Sequence, residues 1–402
     1  MKARSIRILM AAVTATLVFA SCTANGGSIY ATIENAKKTV TSTLAKTLTI
    51  QDLVARAPGG VHTYDVAAGA IFEGAISGTP STSGDIIQWN TDASGNLLAI
   101  ASPVPGQICS SLVFDGTNFW GAFFNPNSQT FGLYEAAGTS FSGQTPISAS
   151  IIAGKQIMLL QVAGASPNIF AVSGAVTGSP YIFELDYYNS APAGWAIAPL
   201  ISGLTTMING VAFDSVNNKY WVVAGTSVYR FSPGNPPLLD VGYPTSTLGS
   251  YNVGASSGQL NGVFIDPDPT LGRGTRIFIP SKLGGIYYSP DGGTTWGQYG
   301  PDNINNNTVG YLCVAGPVDA VSPGGNLYLV GADGWGYYYL NVSAGTFTRY
   351  NDSTTLLYSA AVRRILVDPA GNNSVFMGTA GGGLWRASFN SGAPDANGWI
   401  HE

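Results

Sequence analysis

The most regular pattern in the chain is a set of short apolar runs separated by turns rich in Gly, Asn, Asp and Pro. The clearest set comprises Gly262–Asp266, Arg276–Pro280, Gly285–Ser289 and Trp296–Tyr299. Runs of four or five residues that are bounded by turn residues are typical of β-strands. The pattern therefore predicts a four-stranded antiparallel sheet as the repeating unit of the chain.

An Asp residue that closes the first run of each unit sets the length of the repeat. These residues are Asp65, Asp115, Asp214, Asp266, Asp319 and Asp368, which fall 49 to 53 residues apart except for one interval of 99 that holds two units. Each Asp precedes turn residues and is expected to cap the turn. Seven units fit between residues 61 and 402, and six or eight remain open as alternatives.

One such unit cannot bury both faces of its sheet alone, so the units are expected to pack against each other in a closed ring. We therefore predict an all-β fold, a single β-propeller of seven four-stranded blades, over residues 61–402. Its final strand is expected at Trp399–Ile400, so that the ring closes with little exchange of strands.

The most specific motif is the turn Ser289–Trp296, with the sequence SPDGGTTW. Asp291 can accept hydrogen bonds from the amides of the turn, and Gly293 can adopt a positive φ at low cost. Trp296 is expected to return to the sheet and pack its ring between layers. The motif thus predicts a tight hairpin between the third and fourth strands of a blade.

This stretch resembles the Asp-box (BNR) repeat of β-propeller proteins, which occurs in sialidases, xyloglucan-degrading hydrolases, sortilin-type receptors and photosystem II assembly factors. The residues that carry the resemblance are Ser289, Asp291, Gly293, Thr295 and Trp296. In such families the motif lies on the face away from the active site. The resemblance therefore implies a fold, and a structural role for these five residues.

The N-terminus has the pattern of an export signal. Three basic residues precede the apolar run Ile8–Phe19, which at 12 residues is too short to span a bilayer as a mature helix. The run ends in Phe-Ala-Ser-Cys22, which resembles a bacterial lipobox. We therefore predict a lipoprotein signal peptide at residues 1–21 and lipidation of Cys22, with an ordinary cleaved signal as the alternative. The protein is then exported and lipid-anchored to the bacterial cell envelope, at the outer membrane, in the periplasm or at the cell surface.

Residues 22–60 are predicted to form a tether and a short helix. Apolar residues at helical spacing support this prediction, namely Ile29, Ile33, Ala36, Val40, Leu44 and Leu48. We expect a helix of about 15 residues between Ser28 and Ala55. It is expected to pack against the propeller or to separate it from the membrane.

Composition narrows the chemistry that the chain can perform. The net charge is −5 with no basic block after the signal, so nucleic acid is not an expected partner. The chain has two histidines, His62 and His401, so we predict no metal site, no cofactor and no His-dependent triad. Cys109 and Cys313 each lie six residues before a repeat Asp, in nonadjacent blades, which predicts two buried thiols without a disulfide.

The resemblance to glycan-processing enzymes does not extend to their catalytic residues. Sialidases need three Arg residues around a carboxylate, and Arg276 matches their Arg motif only loosely and in the wrong blade. The xyloglucan-degrading enzymes use a cleft between two propellers, whereas one is predicted here. We predict no catalytic residues, and an enzyme is the less favoured interpretation.

A ligand-binding face is predicted on the rim opposite the Asp-box, where the longest loop runs from Pro233 to Gln259. The candidate residues are Tyr243, Tyr251, Asn252, Lys282, Asp333 and Trp335. Aromatic side chains among Asn and Ser suit contact with a protein or a glycan, and they equally suit packing of the loops. The predicted function is a lipid-anchored, non-catalytic binding module of the envelope. A sialidase-like or xyloglucanase-like hydrolase and a structural envelope scaffold are the alternatives.

Overall fold

The computed structural model describes residues 49–401 with interruptions. The longer interruptions are 57–64, 72–85, 91–96, 101–107, 175–181, 267–274, 320–324, 351–354 and 368–373. The predicted signal peptide, Cys22, the apolar stripe from Ile29 to Leu48, His62 and Asp368 lie outside the described residues. No helix in the described part of the chain is long and apolar enough to cross a membrane.

The described residues form antiparallel sheets that follow one another along the chain. Sheet 1 contains β1 (Thr49–Arg56), β2 (Asp65–Ile71), β3 (Ile86–Asn90) and β4 (Leu97–Ile100). Sheet 2 contains β5 (Ile108–Phe114), β6 (Phe119–Asn125) and β7 (Thr130–Ala136). Sheet 3 contains β8 (Gln156–Ala163), β9 (Asn168–Gly174), β10 (Phe183–Ser190), β11 (Ala193–Trp195) and β12 (Ile201–Leu204).

The second half of the chain continues the series. Sheet 4 contains β13 (Ile208–Asp214), β14 (Lys219–Ala224), β15 (Ser227–Ser232) and β16 (Leu238–Leu239), and it is followed by the ribbon of β17 (Thr247–Leu248) and β18 (Tyr251–Asn252). Sheet 5 contains β19 (Phe264–Asp266), β20 (Arg276–Pro280), β21 (Ile286–Ser289) and β22 (Gly297–Tyr299), followed by the ribbon of β23 (Asn303–Ile304) and β24 (Asn307–Thr308).

Sheets 6 and 7 complete the series. Sheet 6 contains β25 (Tyr311–Ala315), β26 (Leu327–Ala332), β27 (Tyr337–Asn341) and β28 (Thr346–Arg349). A 3₁₀ turn at Leu356–Ser359 leads to sheet 7, which contains β29 (Val362–Val367), β30 (Ser374–Thr379), β31 (Leu384–Asn390), β32 (Ala393–Pro394) and β33 (Ile400–His401).

The first strands of successive sheets form a closed inner ring. They contact one another in the order β1, β5, β8, β13, β19, β25 and β29, and β29 contacts β1 again. The C-terminal strand β33 pairs with β31 of its own sheet, so the described strands close the ring without exchange between the two ends of the chain. Sheets arranged radially around a ring define a β-propeller, so the predicted all-β fold is confirmed at that level.

The predicted count of seven four-stranded blades is wrong, because the described residues form six blades of four or more strands. Sheet 2, by contrast, has three strands in the described part of the chain. Its outer position is taken by irregular chain, from which Ile147 donates one backbone hydrogen bond to Leu133 O at 2.8 Å. Pro146, directly before it, has no N–H group and cannot extend a ladder.

The start of the propeller was predicted too late, at residue 61. Strand β1 begins at Thr49 and pairs with β2, so the region expected to end a helix near Ala55 is a strand instead. The β-branched residues Thr49, Ile50 and Val54 favour a strand, and this segment pairs with β2. The helical spacing of apolar residues that precedes it in the sequence therefore does not extend into this segment. Asp65 therefore begins the second strand of its sheet and does not close the first.

A β-bulge recurs in the first strands. The ladder shifts register between Cys109 and Ser111 in β5, between Ile208 and Gly210 in β13, and at the matching place in β1, β8, β25 and β29. A bulge leaves one residue unpaired and re-aims its side chain. In β5 and β13 that residue is Ser110 and Asn209, and both reach across to the next sheet.

The bulges show that Cys109 and Cys313 do not occupy equivalent positions in their strands, although each lies six residues before a repeat Asp. Cys109 precedes the bulge of β5, whereas Cys313 follows the bulge of β25, so the two positions differ by two residues. Both residues are thiols and not a disulfide, as predicted. Cys109 is buried, and Cys313 is half-buried as a residue although its thiol is enclosed. Burial raises the pKa of the Cys313 thiol to about 12.

Apolar side chains fill the spaces between neighbouring sheets. One cluster joins Phe170 and Tyr187 of sheet 3 to Tyr220 and Phe231 of sheet 4, and similar clusters lie between the later pairs of sheets. Both faces of a sheet are therefore apolar, which explains why strict alternation of apolar and polar residues is weak along the strands.

Candidate functional site

The ring has two rims, which differ in the turns that they carry. The lower rim is the end where first strands turn into second strands and third strands turn into fourth strands. The upper rim is the end where second strands turn into third strands and where each first strand begins. Because the strands of every sheet are antiparallel, each turn of the described chain can be assigned to one rim from the order of its strands.

The Ser289–Trp296 turn lies on the lower rim, between β21 and β22. Asp291 Oδ1 accepts hydrogen bonds from the amides of Thr294 and Thr295, at 3.1 and 2.7 Å, and from Ser289 Oγ at 2.9 Å. Asp291 Oδ2 accepts a hydrogen bond from Thr295 Oγ1 at 2.7 Å. Burial opposes the charged form of Asp291, but these donors outweigh it and lower the pKa of the carboxyl.

The same turn packs against the neighbouring sheet. Gly293 has φ +92°, and a Cβ atom there would lie 2.6 Å from the buried ring of Trp221 in sheet 4. The ring of Trp296 meets that of Trp221 edge-on, with centroids 6.0 Å apart. The turn therefore joins sheet 5 to sheet 4.

Two of the repeat Asp residues, Asp115 and Asp214, cap turns on the lower rim as predicted. Asp115 accepts hydrogen bonds from the amides of Thr117 and Asn118. Asp214 accepts from two turn amides in the same way, and Thr275 Oγ1 in the next sheet donates to it at 2.6 Å. In the part of the chain that the structure describes, no group of three or more His, Cys, Asp or Glu residues could hold a metal ion.

Arg276 is enclosed between sheets 5 and 6 and is 3% exposed. Its guanidinium donates hydrogen bonds to Gly325 O, Tyr328 Oη and Asn326 Oδ1 at 2.8, 2.7 and 2.9 Å. A guanidinium that is this deeply buried and bonded to three groups of the protein is not accessible to a substrate carboxylate. Arg276 therefore links sheet 5 to sheet 6.

The upper rim brings charged side chains together from three successive sheets. Lys282 lies in the turn from β20 to β21, Asp333 lies in the turn from β26 to β27, and Arg363 is the bulge residue of β29. Lys282 and Asp333 are exposed, and Arg363 is half-buried. We call these three residues the rim cluster.

Backbone hydrogen bonds fix the turns that carry the rim cluster. Lys282 N donates to Gln259 O at 2.8 Å, and Asp333 N donates to Gly310 O at 2.9 Å. Tyr311 N, at the start of β25, donates to Ser281 O at 3.0 Å. Each turn is thereby attached to the beginning of a neighbouring first strand, which holds the cluster at the mouth of the ring.

The rim cluster is electrostatically coupled. Neighbouring protein displaces water from the carboxyl of Asp333 and raises its pKa, although the residue as a whole is exposed. The positive charges of Arg363 and Lys282 act in the opposite direction. The cluster therefore combines two cationic side chains with one carboxyl group.

Trp335 lies two residues after Asp333 and is half-buried. The guanidinium of Arg349 lies 5.0 Å from the Trp335 ring centroid and 3.7 Å from that of Tyr358. Arg349 also donates hydrogen bonds to Trp335 O and Tyr358 O, at 3.0 and 2.7 Å. These contacts hold the Asp333 turn against the connection to sheet 7.

Two of the predicted rim residues are packing residues instead. Tyr243 meets the ring of Trp221 edge-on and lies 4.7 Å from the Arg230 guanidinium, and Tyr251 meets Tyr287 edge-on. Both belong to the apolar cluster between sheets 4 and 5. Asn252 is exposed on β18. The supposed single loop from Pro233 to Gln259 contains β16, β17 and β18, which is why its aromatic residues turn inward.

Sequence reasoning missed Arg363, although a signal was present. The residue five positions before a repeat Asp is Ser110, Asn209, Asn261 and Arg363 in four units. This position is the bulge in β5, β13 and β29, so its side chain leaves the ladder. A polar residue that recurs there marks a side chain that reaches beyond its own sheet.

A second charged group lies at the upper end of sheet 3. Lys155 Nζ contacts Glu184 at 2.6 Å and Asp186 at 3.4 Å, and Ser173 Oγ donates to Asp186 at 2.6 Å. Asp186 is fully buried, and burial raises the pKa of its carboxyl although Ser173 and Lys155 oppose the shift. This carboxylate is committed to internal partners.

No protein-family model matches the chain, and no curated protein matches it. Solved structures do. A structure of YCF48 bound to D1 peptide has a TM-score of 0.54 at 15% identity and covers 87% of this chain and 94% of that chain. YCF48 from Cyanidioschyzon merolae has a TM-score of 0.53 at 14% identity, covering 85% of this chain and 96% of that one. A putative 6-phosphogluconolactonase from Bacteroides uniformis has a TM-score of 0.51 at 13% identity, covering 81% and 93%.

These likenesses establish the fold. At such identities they carry no function across, and the neighbours themselves differ in function.

Proposed function

We propose that this protein is a lipid-anchored β-propeller of the bacterial envelope that binds a segment of another protein at its upper rim, without catalysis. The observation that carries the proposal is the rim cluster, which converges from three sheets at the mouth of the ring. Lys282 and Asp333 present opposite charges on turns that are held by backbone hydrogen bonds. Such a surface suits a ligand with both charges and backbone hydrogen-bonding groups.

A propeller of similar fold supports a protein ligand, because YCF48 is seen bound to a D1 peptide. The burial of the aromatic residues also favours a protein ligand over a glycan. The aromatic side chains whose burial the structure describes are buried or half-buried, so none of them is a fully exposed flat ring on which a sugar could stack. A peptide is therefore the ligand class that fits this rim best.

The N-terminal sequence supports export and anchoring. The basic start, the apolar run Ile8–Phe19 and Cys22 together match a lipoprotein signal. The motif Ser289–Trp296 supports a relationship to the Asp-box propellers, and its place on the lower rim leaves the upper rim available for a ligand. Two or more acyl chains on Cys22 would hold the protein stably at a membrane.

A peptide array tests the proposal directly. The mature chain from residue 22, with Cys22→Ser, is screened against peptides that tile the exported proteins of a bacterial envelope. Lys282→Ala and Asp333→Asn are each expected to weaken a hit by about tenfold, which is the loss of about 1.4 kcal/mol of binding free energy. Glu135→Gln, on the outer strand β7 of another sheet, serves as the control and is expected to bind as the wild type does.

The same sample distinguishes the alternatives. Turnover of a sialoside or a β-glucan that is abolished when a rim carboxylate is changed would make the protein a hydrolase. Peptide binding that is unaffected by both rim substitutions would place the ligand elsewhere on the ring. Binding to no peptide and turnover of no glycan would favour a structural role in the envelope.

A further inference from the structure

The outer edge of sheet 4 displays apolar side chains to solvent. Leu238, Leu239 and Val241 are 68%, 45% and 100% exposed. Leu238 and Leu239 form β16, the outermost strand of the sheet, and Val241 follows after a single residue. We call these three residues the apolar edge. Large aliphatic side chains that are concentrated on one short exposed segment mark an interaction surface.

The residue between them holds this segment in place. Asp240 N donates to Arg230 O at 2.8 Å, which continues the ladder beyond β16. The Asp240 carboxylate accepts hydrogen bonds from Ser232 Oγ at 2.6 Å and from Arg230 Nε at 2.7 Å, and it pairs with Lys219 Nζ at 2.9 Å. The apolar edge is therefore a fixed feature of the sheet and not a frayed end.

The charges beside the apolar edge point to the kind of partner that it fits. The side chains of Lys219 and Arg230 are 28% and 29% exposed and share the one carboxylate of Asp240, so two cations lie beside the apolar edge on this carboxylate. Aliphatic side chains that enter the acyl boundary, with cations at the level of the lipid phosphates, are the features by which peripheral proteins bind a bilayer.

We propose that the apolar edge of sheet 4 rests on the surface of the membrane. The proposal uses the lipid anchor of the proposed function only to bring the propeller close to a bilayer. One acyl-anchored tether leaves a domain free to rotate, whereas a second, weak contact orients it. The upper rim of the ring is then held at a defined direction relative to the membrane.

Vesicle flotation of the unlipidated mature chain tests the contact separately from the anchor. The chain from residue 22 with Cys22→Ser is mixed with vesicles of phosphatidylethanolamine and phosphatidylglycerol at a ratio of about 3:1, in low salt, where attraction between lysine or arginine and anionic lipid is strong. The triple variant L238S/L239S/V241S is expected to bind about tenfold less protein per lipid, since membrane affinity scales with the apolar area that is inserted.

Two further variants control for folding and for general stickiness. V241S alone changes a fully exposed side chain and is expected to lower binding severalfold while it leaves the thermal unfolding curve unchanged. I197S removes an equally exposed side chain on the outer edge of sheet 3 and is expected to bind vesicles as the wild type does. Equal loss in I197S and V241S would overturn the proposal.

Other outcomes also overturn it. If the unlipidated wild type does not bind these vesicles, the edge has no membrane affinity. If sedimentation shows that the wild type dimerises and that the triple variant does not, while vesicle binding is unchanged, the edge covers a second copy of the chain. Peptide binding at the rim cluster is measured in the same variants and is expected to persist, so failure here and failure of the proposed function are distinguishable.

Discussion

The side-chain amide of Asn261 donates a hydrogen bond to the backbone carbonyl of Tyr311, 2.7 Å away in the next sheet. Asn209 makes the same bond to Leu260 O at 2.6 Å, and Ser110 makes it to Ile157 O at 2.8 Å. The donor lies at the bulge position of one sheet, and the acceptor lies just before the bulge position of the next. The inner ring is therefore joined by a repeated bond from a side chain to the backbone.

Removing this bond is expected to destabilise the ring. Asn261→Ala leaves the carbonyl of the buried residue Tyr311 without its side-chain donor, which should lower the free energy of unfolding by about 1–2 kcal/mol. Urea denaturation followed by tryptophan fluorescence measures the change. Gln144→Ala, at an exposed position after β7, is the control and should lie within about 0.5 kcal/mol of the wild type. Equal effects of the two substitutions would show that the bond contributes nothing.

A second prediction concerns the stability of a variant at Gly293, which lies close to Trp221. Gly293→Ala places a methyl group 2.6 Å from a buried indole ring, at a residue whose φ is +92°. We expect the free energy of unfolding to fall by about 2–4 kcal/mol, from backbone strain and overpacking together. Gly345→Ala has a similar φ of +64° but no atom within 4 Å, so it should lose only about 1 kcal/mol. A loss at Gly345 as large as that at Gly293 would mean that the contact with Trp221 is not responsible.

The Asp291 carboxyl predicts a dependence of stability on pH. Its pKa is lowered in the folded state, because hydrogen-bond donors in the turn outweigh the effect of burial. A group whose pKa is lower when folded stabilises the protein fully above its unfolded pKa, and that contribution is lost as the pH falls through the folded pKa. Wild-type stability should therefore fall below about pH 4, and Asp291→Asn should flatten this decline. Urea midpoints measured from pH 7 to pH 2.5 check it, and parallel curves for the two proteins would contradict it.

A fourth prediction tests whether the buried residue Arg276 stabilises the fold or binds the ligand. Arg276→Met removes the ion pair with Asp266 and three hydrogen bonds between sheets 5 and 6, and it should cost about 3 kcal/mol of stability. Arg276→Lys keeps the charge but not the planar set of donors, so it should recover only part of the loss. Differential scanning calorimetry gives both values. Affinity for a rim peptide should be unchanged in whatever fraction remains folded, and a selective loss of binding would assign Arg276 to the ligand site.

The repeat could be recognised from the sequence because its determinants are local. The turn Ser289–Trp296 is made by its own side chains, with Asp291 accepting from residues three and four positions later. Asp115 and Asp214, which close or follow first strands, cap turns within three residues of themselves. Interactions of this kind depend on short stretches of chain, so spacing and residue type were enough to place them.

The candidate site was harder to predict because it depends on which side chains the rest of the fold leaves exposed. Tyr243 and Tyr251 appeared in a polar loop, but that loop folds back as an outer strand and a ribbon and inserts both rings between sheets 4 and 5. Lys282 and Asp333 were placed on the correct rim, since each lies in a short turn between second and third strands. Arg363 was missed because its side chain is directed by a bulge, and the bulge is visible only in the pairing of β29 with β30.

The sequence by itself determined the all-β class, the ring of repeated sheets and the turns of the lower rim, because strand length, turn residues and a period near 50 residues act locally. Tertiary structure decided that β1 begins at Thr49, that sheet 2 has no regular fourth strand among the described residues, and that the rim cluster converges at the mouth of the ring. Each of these depends on contacts between separate segments of the chain, such as the pairing of Thr49 with Ile71, or on a register shift within a ladder. The free energy of such pairing is shared between distant segments, and so no single stretch of the chain reveals it.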